Sequence, residues 1–207
     1  MENGIRPIWV FDNKSPKSED QTVKVTPQMK EEVKEVFKIF GYPIIQAKSS
    51  APAQCAHLNR QGIVFGIGSE DLDCLTYGGN ILLRHFKNEK KPAIQIEREI
   101  VLQELKLTQN QFIDLCILCG TEYTPPIKNI AATRALNYIR EYGTLKDTIK
   151  ALRSSTTKLK MNLKYQIPDQ YYHEEAFKEF SNPEVNDIDP LSVIKVLLVD
   201  QMERYKY

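Results

Sequence analysis

The chain has 207 residues and is 42% hydrophobic, 27% charged and 9% aromatic. That is enough apolar material for one sizeable core, and it excludes collagen-like, low-complexity and mostly disordered classes. Lys+Arg 28 against Asp+Glu 27 leave a formal charge of +1, so no global basic field advertises a nucleic-acid binder and such binding needs a local patch.

Ile8-Trp9-Val10-Phe11 is a β-rich run that ends on Asp12, and a polar loop containing Lys and Pro follows. Apolar residues then recur at helical spacing over 27–40, with Thr26 and Pro27 as N-cap and first position and Gly41 as the stop. Tyr42–Ala47 reads as a second strand, and a short helix over Ala53–Gln61 ends at Gly62. Ile63–Gly68 reads as a third strand, its unbroken apolarity suiting burial on both faces. Ile81–Phe86 is a fourth. Strands alternating with helices predict parallel β-α-β units and an α/β layer architecture.

After Glu97 the pattern turns helical over Ile100–Leu107, Gln109–Leu118 and Arg134–Tyr142, with a last helix over Val193–Val199. The expected organisation is a partial α/β core over 1–96, a helical segment over 97–150 and a C-terminal helical part of the same domain over 151–207. No apolar run approaches the roughly 20 residues that cross a bilayer, and Met1–Pro7 lacks the apolar core of a secretory signal. An intracellular protein with no membrane partner is expected. Cys116-x-x-Cys119 has no second ligand pair at zinc spacing, so it reads, with Cys55 and Cys74, as reduced thiols. His57, His85 and His173 read as packing or surface residues, and Lys87–Lys91 as a solvated loop.

In a parallel sheet, functional residues gather beyond the carboxyl ends of the strands. Asp12 stands at one such end and Glu70-Asp71-Leu72-Asp73 at another. Carboxylates from two strand ends suit a divalent cation, because Mg²⁺ takes hard oxygen ligands. On spacing alone, the same acids also read as turn and cap residues.

Three segments occur in order: 3–14 (NGIRPIWVFDNK), 69–78 (SEDLDCLTYG) and 112–123 (FIDLCILCGTEY). Together they resemble the flap endonuclease family, the structure-specific 5′ nucleases of DNA replication and repair. The resemblance runs from Glu2 to about Tyr142, and more loosely beyond. It implies a 5′-nuclease (PIN-like) fold, a parallel sheet flanked by helices with a helix-two-turn-helix segment. It also implies two Mg²⁺ ions held by carboxylates, 5′-flap endonuclease and 5′-3′ exonuclease action on branched or flapped DNA, and a nuclear location. By motif position Asp12, Asp71, Asp73 and Glu122 correspond to catalytic, metal-binding acids of the family. Lys128 and Arg134 correspond to phosphate-contacting positions of the helix-two-turn-helix.

This sequence also departs from the family pattern. It opens at the Asp12 motif, so the family's first catalytic Asp has no counterpart. The family's S-E-A-E-A segment reads Ser49-Ser50-Ala51-Pro52-Ala53, with Ser50 and Pro52 where two Glu stand. Glu122 replaces an Asp. Asn13–Thr26 is too short for the family's basic helical arch. The G-I-G-x-x-R-A loop reads Asn129-Ile130-Ala131-Ala132-Thr133-Arg134-Ala135, placing Cβ atoms where backbone should approach phosphate. No sliding-clamp peptide precedes Tyr207. The expected function is therefore a divergent homologue with impaired catalysis and at most weak or single-ion Mg²⁺ binding. The alternative is a non-catalytic DNA- or protein-binding relic. A sheet lacking its first strand leaves an open edge, so marginal stability or a partner is expected.

Overall fold

Thr26 accepts a hydrogen bond from the Met29 amide and Pro27 takes the first helical position, so the first helix begins where its cap chemistry places it. The computed structural model describes residues 4–13, 25–85, 91–158, 167, 171 and 173–193. Its N-terminal half runs β1 (Trp9–Phe11), α1 (Pro27–Ile39), β2 (Ile44–Gln46), α2 (Ala51–Arg60), β3 (Ile67–Gly68), α3 (Asp73–Thr76) and β4 (Ile81–Arg84). Then come β5 (Ile94–Glu97), α4 (Arg98–Leu105), α5 (Gln109–Cys119), α6 (Ala132–Tyr142), α7 (Leu145–Lys158) and α8 (His173–Ser181).

The strands form two hydrogen-bonded pieces. β1 pairs parallel with β2, setting Val10 opposite Ile45. β3 pairs parallel with β4, setting Ile67 opposite Leu82, and β5 closes that piece antiparallel to β4. Helix α2 packs on both β1 and β3, so it bridges the two pieces. The central core gathers Ile67 and Leu82 of the strands, Ala53 and Ala56 of α2, and Ile113 and Ile117 of α5. Helices α6, α7 and α8 pack around α5. Helix α1 is peripheral: it has no buried residue, and Ile39 (82%) and Phe40 (57%) are largely exposed. Trp9 stacks on Phe37 at 4.4 Å, tying α1 to β1. Among the described residues no helix is long and apolar enough to cross a membrane.

The parallel β-α-β reading of the N-terminal half holds, with three corrections. The third strand spans only Ile67–Gly68, not Ile63–Gly68, and Phe65 is 73% exposed. The carbonyls of Val64 and Phe65 are instead taken by the side-chain amide of Asn59, at 3.1 and 3.0 Å, so that stretch cannot join a ladder through them. Strand β5 escaped the sequence reading because Ile-Gln-Ile-Glu is short and mostly exposed at an edge. Helix α2 starts at Ala51 rather than Ala53, because Pro52 is tolerated in a first helical turn. Beyond Val193, the expected last helix over Val193–Val199 lies outside the described residues, as does Phe86.

Asn59 is 5% exposed and has every polar bond made. Besides donating to Val64 and Phe65, its Oδ1 accepts from the Asn80 and Ile81 amides at 2.7 and 3.0 Å. It thereby joins α2, the approach to β3 and the start of β4. Gly79 lies in the same junction, where an added Cβ would meet Ile67 Cδ1 at 2.5 Å and the Cys74 carbonyl at 2.8 Å. Asn59→Ala removes four buried hydrogen bonds and is expected to lower unfolding free energy in urea by about 2–4 kcal/mol. Gly79→Ala should cost about 1–3 kcal/mol by overpacking. An unchanged urea midpoint in either variant contradicts this account of the junction.

Candidate metal centre

The chain reaches the acidic site by three turns, each with its own local chemistry. Asp12 follows β1, and its Oδ1 accepts from the Ala51 amide at 2.9 Å. Ser50 occupies the N-cap position of α2 yet makes no capping bond, so Asp12 caps that helix from another strand. Asp71 and Asp73 follow β3. The Asp71 amide donates to Ser69 Oγ at 3.0 Å, and Asp71 Oδ1 accepts from the Asp73 amide at 2.9 Å. These bonds fold the turn that opens α3. Glu122 follows α5, where Gly120 (φ +99°) reverses the chain and Thr121 and Thr124 exchange backbone bonds. Only Gly fits that reversal, because a Cβ would meet Pro126 at 2.9 Å.

Burial first, then the charges of Asp71 and Glu122, push the Asp73 carboxyl up to about 6. Three acids from two turns therefore share one electrostatic neighbourhood. The neighbouring Glu70 faces the other way: it accepts from the His85 amide at 2.6 Å and pairs with Arg84 at 3.2 Å. The His85 amide, ahead of the Arg84 charge, holds its carboxyl below the usual range. Glu70 clamps β4 and leaves the site to Asp71 and Asp73.

A crowded, half-desolvated carboxylate is stabilised by a cation, and Mg²⁺ commonly binds through one or two carboxylates with waters completing its shell. Asp71 and Asp73, two residues apart in one turn, offer the one or two carboxylates such a hydrated ion uses. Among the described residues no group of three or more His, Cys, Asp or Glu is placed to hold a metal ion. Asp12 gives one oxygen to the Ala51 amide and keeps the other, while Ser50 and Pro52 supply no carboxylate.

The loop before α6 carries the two residues that stand where the family has Gly. Asn129 takes the left-handed conformation (φ +68°), which Asn tolerates, but Ala131 is extended at φ −93° and needs no glycine. Lys128 and Arg134 are both exposed, and Arg134 donates to the Asn129 carbonyl at 2.9 Å, bracing the loop. The N-cap residue Ala131 makes no side-chain bond, so α6 opens without a side-chain cap from that position. The sequence reading missed Tyr77 and Tyr123, whose hydroxyls meet at 2.7 Å beside Glu122. Both lie inside the quoted motifs, but nothing in a linear pattern shows two hydroxyls 46 residues apart converging.

The raised Asp73 carboxyl makes stability depend on pH in a defined direction. Below its ordinary value of 3.8 the group is protonated in folded and unfolded chains alike and contributes nothing. Between there and about 6 the unfolded chain ionises first, so stability falls as pH rises and the full penalty stands above 6. Asp73→Asn should therefore stabilise the metal-free protein at pH 7 by about 1–2 kcal/mol, discounted for partial solvent access. The gain should vanish near pH 3.5 in the same urea titration.

The family model of the XPG I-region matches residues 41–122, from the turn before β2 to Glu122. Flap endonuclease 1-A of Laccaria bicolor is 37% identical over 93% of this chain. The chain spans 57% of that protein's length. Among solved structures, flap endonuclease-1 from Methanococcus jannaschii superposes with a TM-score of 0.74 at 27% identity, covering 97% of this chain and 71% of that one. The catalytic core of Rad2 in complex with DNA substrate gives 0.72 at 30% identity, covering 90% and 66%. The architecture is thus that of the 5′ nucleases. With its three motifs carried in order on that fold, the chain belongs to the flap endonuclease family.

Proposed function

We propose that this chain is a divergent flap endonuclease homologue that binds branched DNA and holds at most one Mg²⁺ weakly, with catalysis impaired. The observation that carries this reading is the division of labour among its acids. Asp73 is crowded by the charges of Asp71 and Glu122, which a cation would offset, while Ser50 and Pro52 stand where the family has two Glu. Asp73 and Asp71 would supply the one or two carboxylates of the ion, with water completing its shell and the Glu122 charge nearby.

A bound divalent cation supplies water activation and neutralises charge at the scissile phosphate, and paired ions do so from both sides. The residues' own part is to fix one ion and to leave the phosphate without a second clamp. Each missing preorganised charge costs on the order of 10²–10³ in rate. DNA contact is assigned to Lys128 and Arg134 beside the opening of α6, where helix amide groups favour phosphate. The Rad2 core superposed above was solved with a DNA substrate, which supports DNA as the partner class. A nuclear location belongs to the same reading.

The deciding experiment is a 5′-flap cleavage assay in Mg²⁺ and Mn²⁺ alongside a binding measurement on the same substrate. Flap binding with cleavage no faster than in Asp71→Ala is expected. Rapid cutting that Asp71→Ala abolishes would overturn the impaired reading. Lys128→Ala should weaken binding to all sequences alike and reduce the slope of log K against log salt by about 1. An unaltered slope removes Lys128 from the interface.

A further inference from the structure

We infer that the outer face of α7, where Lys146, Lys150 and Arg153 line up, lies against the phosphate backbone of duplex DNA and lengthens the contact assigned to Lys128 and Arg134. The inference rests on the reading of DNA as the partner and names a second surface that meets it.

Helix α7 follows α6 after Gly143 and Thr144 and packs on both α6 and α5. Its inner face is set by Leu145, Thr148, Ile149 and Leu152, all buried and recurring at helical spacing. That rotation leaves Lys146, Lys150 and Arg153, four and three positions apart, together on the exposed side. The three cations cover about 10 Å of helix, enough to meet about two or three phosphates of one strand. Asp147 is the single acid in the α7 sequence and is turned to the helix start. There the Thr144 hydroxyl donates to its Oδ2 at 2.7 Å and accepts from its amide at 3.1 Å. Two further bonds hold this corner on α5: the Leu145 amide donates to Asp114 Oδ2 at 3.0 Å, and Gln111 Nε2 donates to the Gly143 carbonyl at 3.3 Å.

Helix stability does not account for the stripe. Like charges at this spacing repel, and Lys146 stands in the first turn, where the helix dipole disfavours a cation. The Glu174 carboxylate of α8 lies 3.3 Å from the Lys146 ammonium, but with the two side chains 69% and 77% exposed that pair contributes little. The whole chain has a formal charge of only +1, so the stripe is a local concentration of the kind that phosphate binding needs. The path from Arg134 along α6 and its link to Lys146 is at most about 26 Å, shorter than one duplex turn of about 34 Å. Both sets of cations are thus within the reach of one duplex.

The test measures binding of the full chain to a blunt DNA duplex and to a single strand of the same length over a range of salt. Lys146→Gln, Lys150→Gln and Arg153→Gln together leave the buried face of α7 untouched and should keep a normal thermal melt. On the duplex they are expected to reduce the slope of log K against log salt by about 2–3, in addition to the change made by Lys128→Ala. If the triple variant melts early, Lys150→Gln alone carries the test, with an expected change of about 1. Lys30→Gln with Lys38→Gln on α1 should leave the slope as it is, which separates contact from a general loss of charge. An unaltered duplex slope in the folded α7 variant, an equal loss per charge in the α1 pair, or a loss confined to the single strand overturns the inference. The Lys128→Ala slope then decides the DNA reading by itself. If the unaltered chain binds neither DNA, that reading fails and the inference fails with it.

Discussion

One buried amide organises the region from which the acidic turn emerges. Asn59 takes two carbonyls from the chain entering β3 and gives its oxygen to two amides entering β4. The consequence is a β3 of two residues, after which the backbone is already turning at Ser69. Had Ile63–Phe65 continued the ladder, strand pairing would have begun four residues earlier. Asp71 and Asp73 stand where they do because α2 is pinned to the sheet through this side chain. Hydrophobic contact alone, which is non-directional, would not set that register.

The acids divide by what their oxygens already do. Asp12 and Asp71 each accept a backbone amide, bonds that organise a helix start and a turn. Asp73 and Glu122 lack such an assigned structural amide in the geometry described, and it is Asp73 that carries the electrostatic penalty of proximity. Site and scaffold thus overlap in the same side chains.

Much of the architecture was legible in the chain because it rests on local signals. Thr26-Pro27 announced α1, and Thr108 with Gln111 completes a capping box at α5. The short apolar runs announced β1, β2 and β4. What the linear pattern concealed depended on side chains reaching across the fold. Ile63–Phe65 has strand composition, yet a residue on α2 claims its carbonyls. Strand β5 is an exposed edge with little hydrophobic signal. At the site, the motifs located Asp71, Asp73 and Glu122 and left open whether the acids cap turns or bind metal. The turn and cap role is seen in the amide bonds of Asp12 and Asp71. At Ala131 the backbone angle, not the residue type, removes any need for glycine.

The β1–α1–β2 unit is fastened lightly. Its helix buries no residue, its two strands bond to each other rather than to β3, and Asp12 supplies a polar tie to α2. Units held this way open below the global unfolding free energy and exchange their amide protons sooner than a core such as α5. Hydrogen exchange should therefore show two separate protection classes, with Val10 and Ile45 in the faster one; uniform protection would mean a single cooperative body. The chain would then carry one of its acids on a foldon that can detach while the other three stay in place.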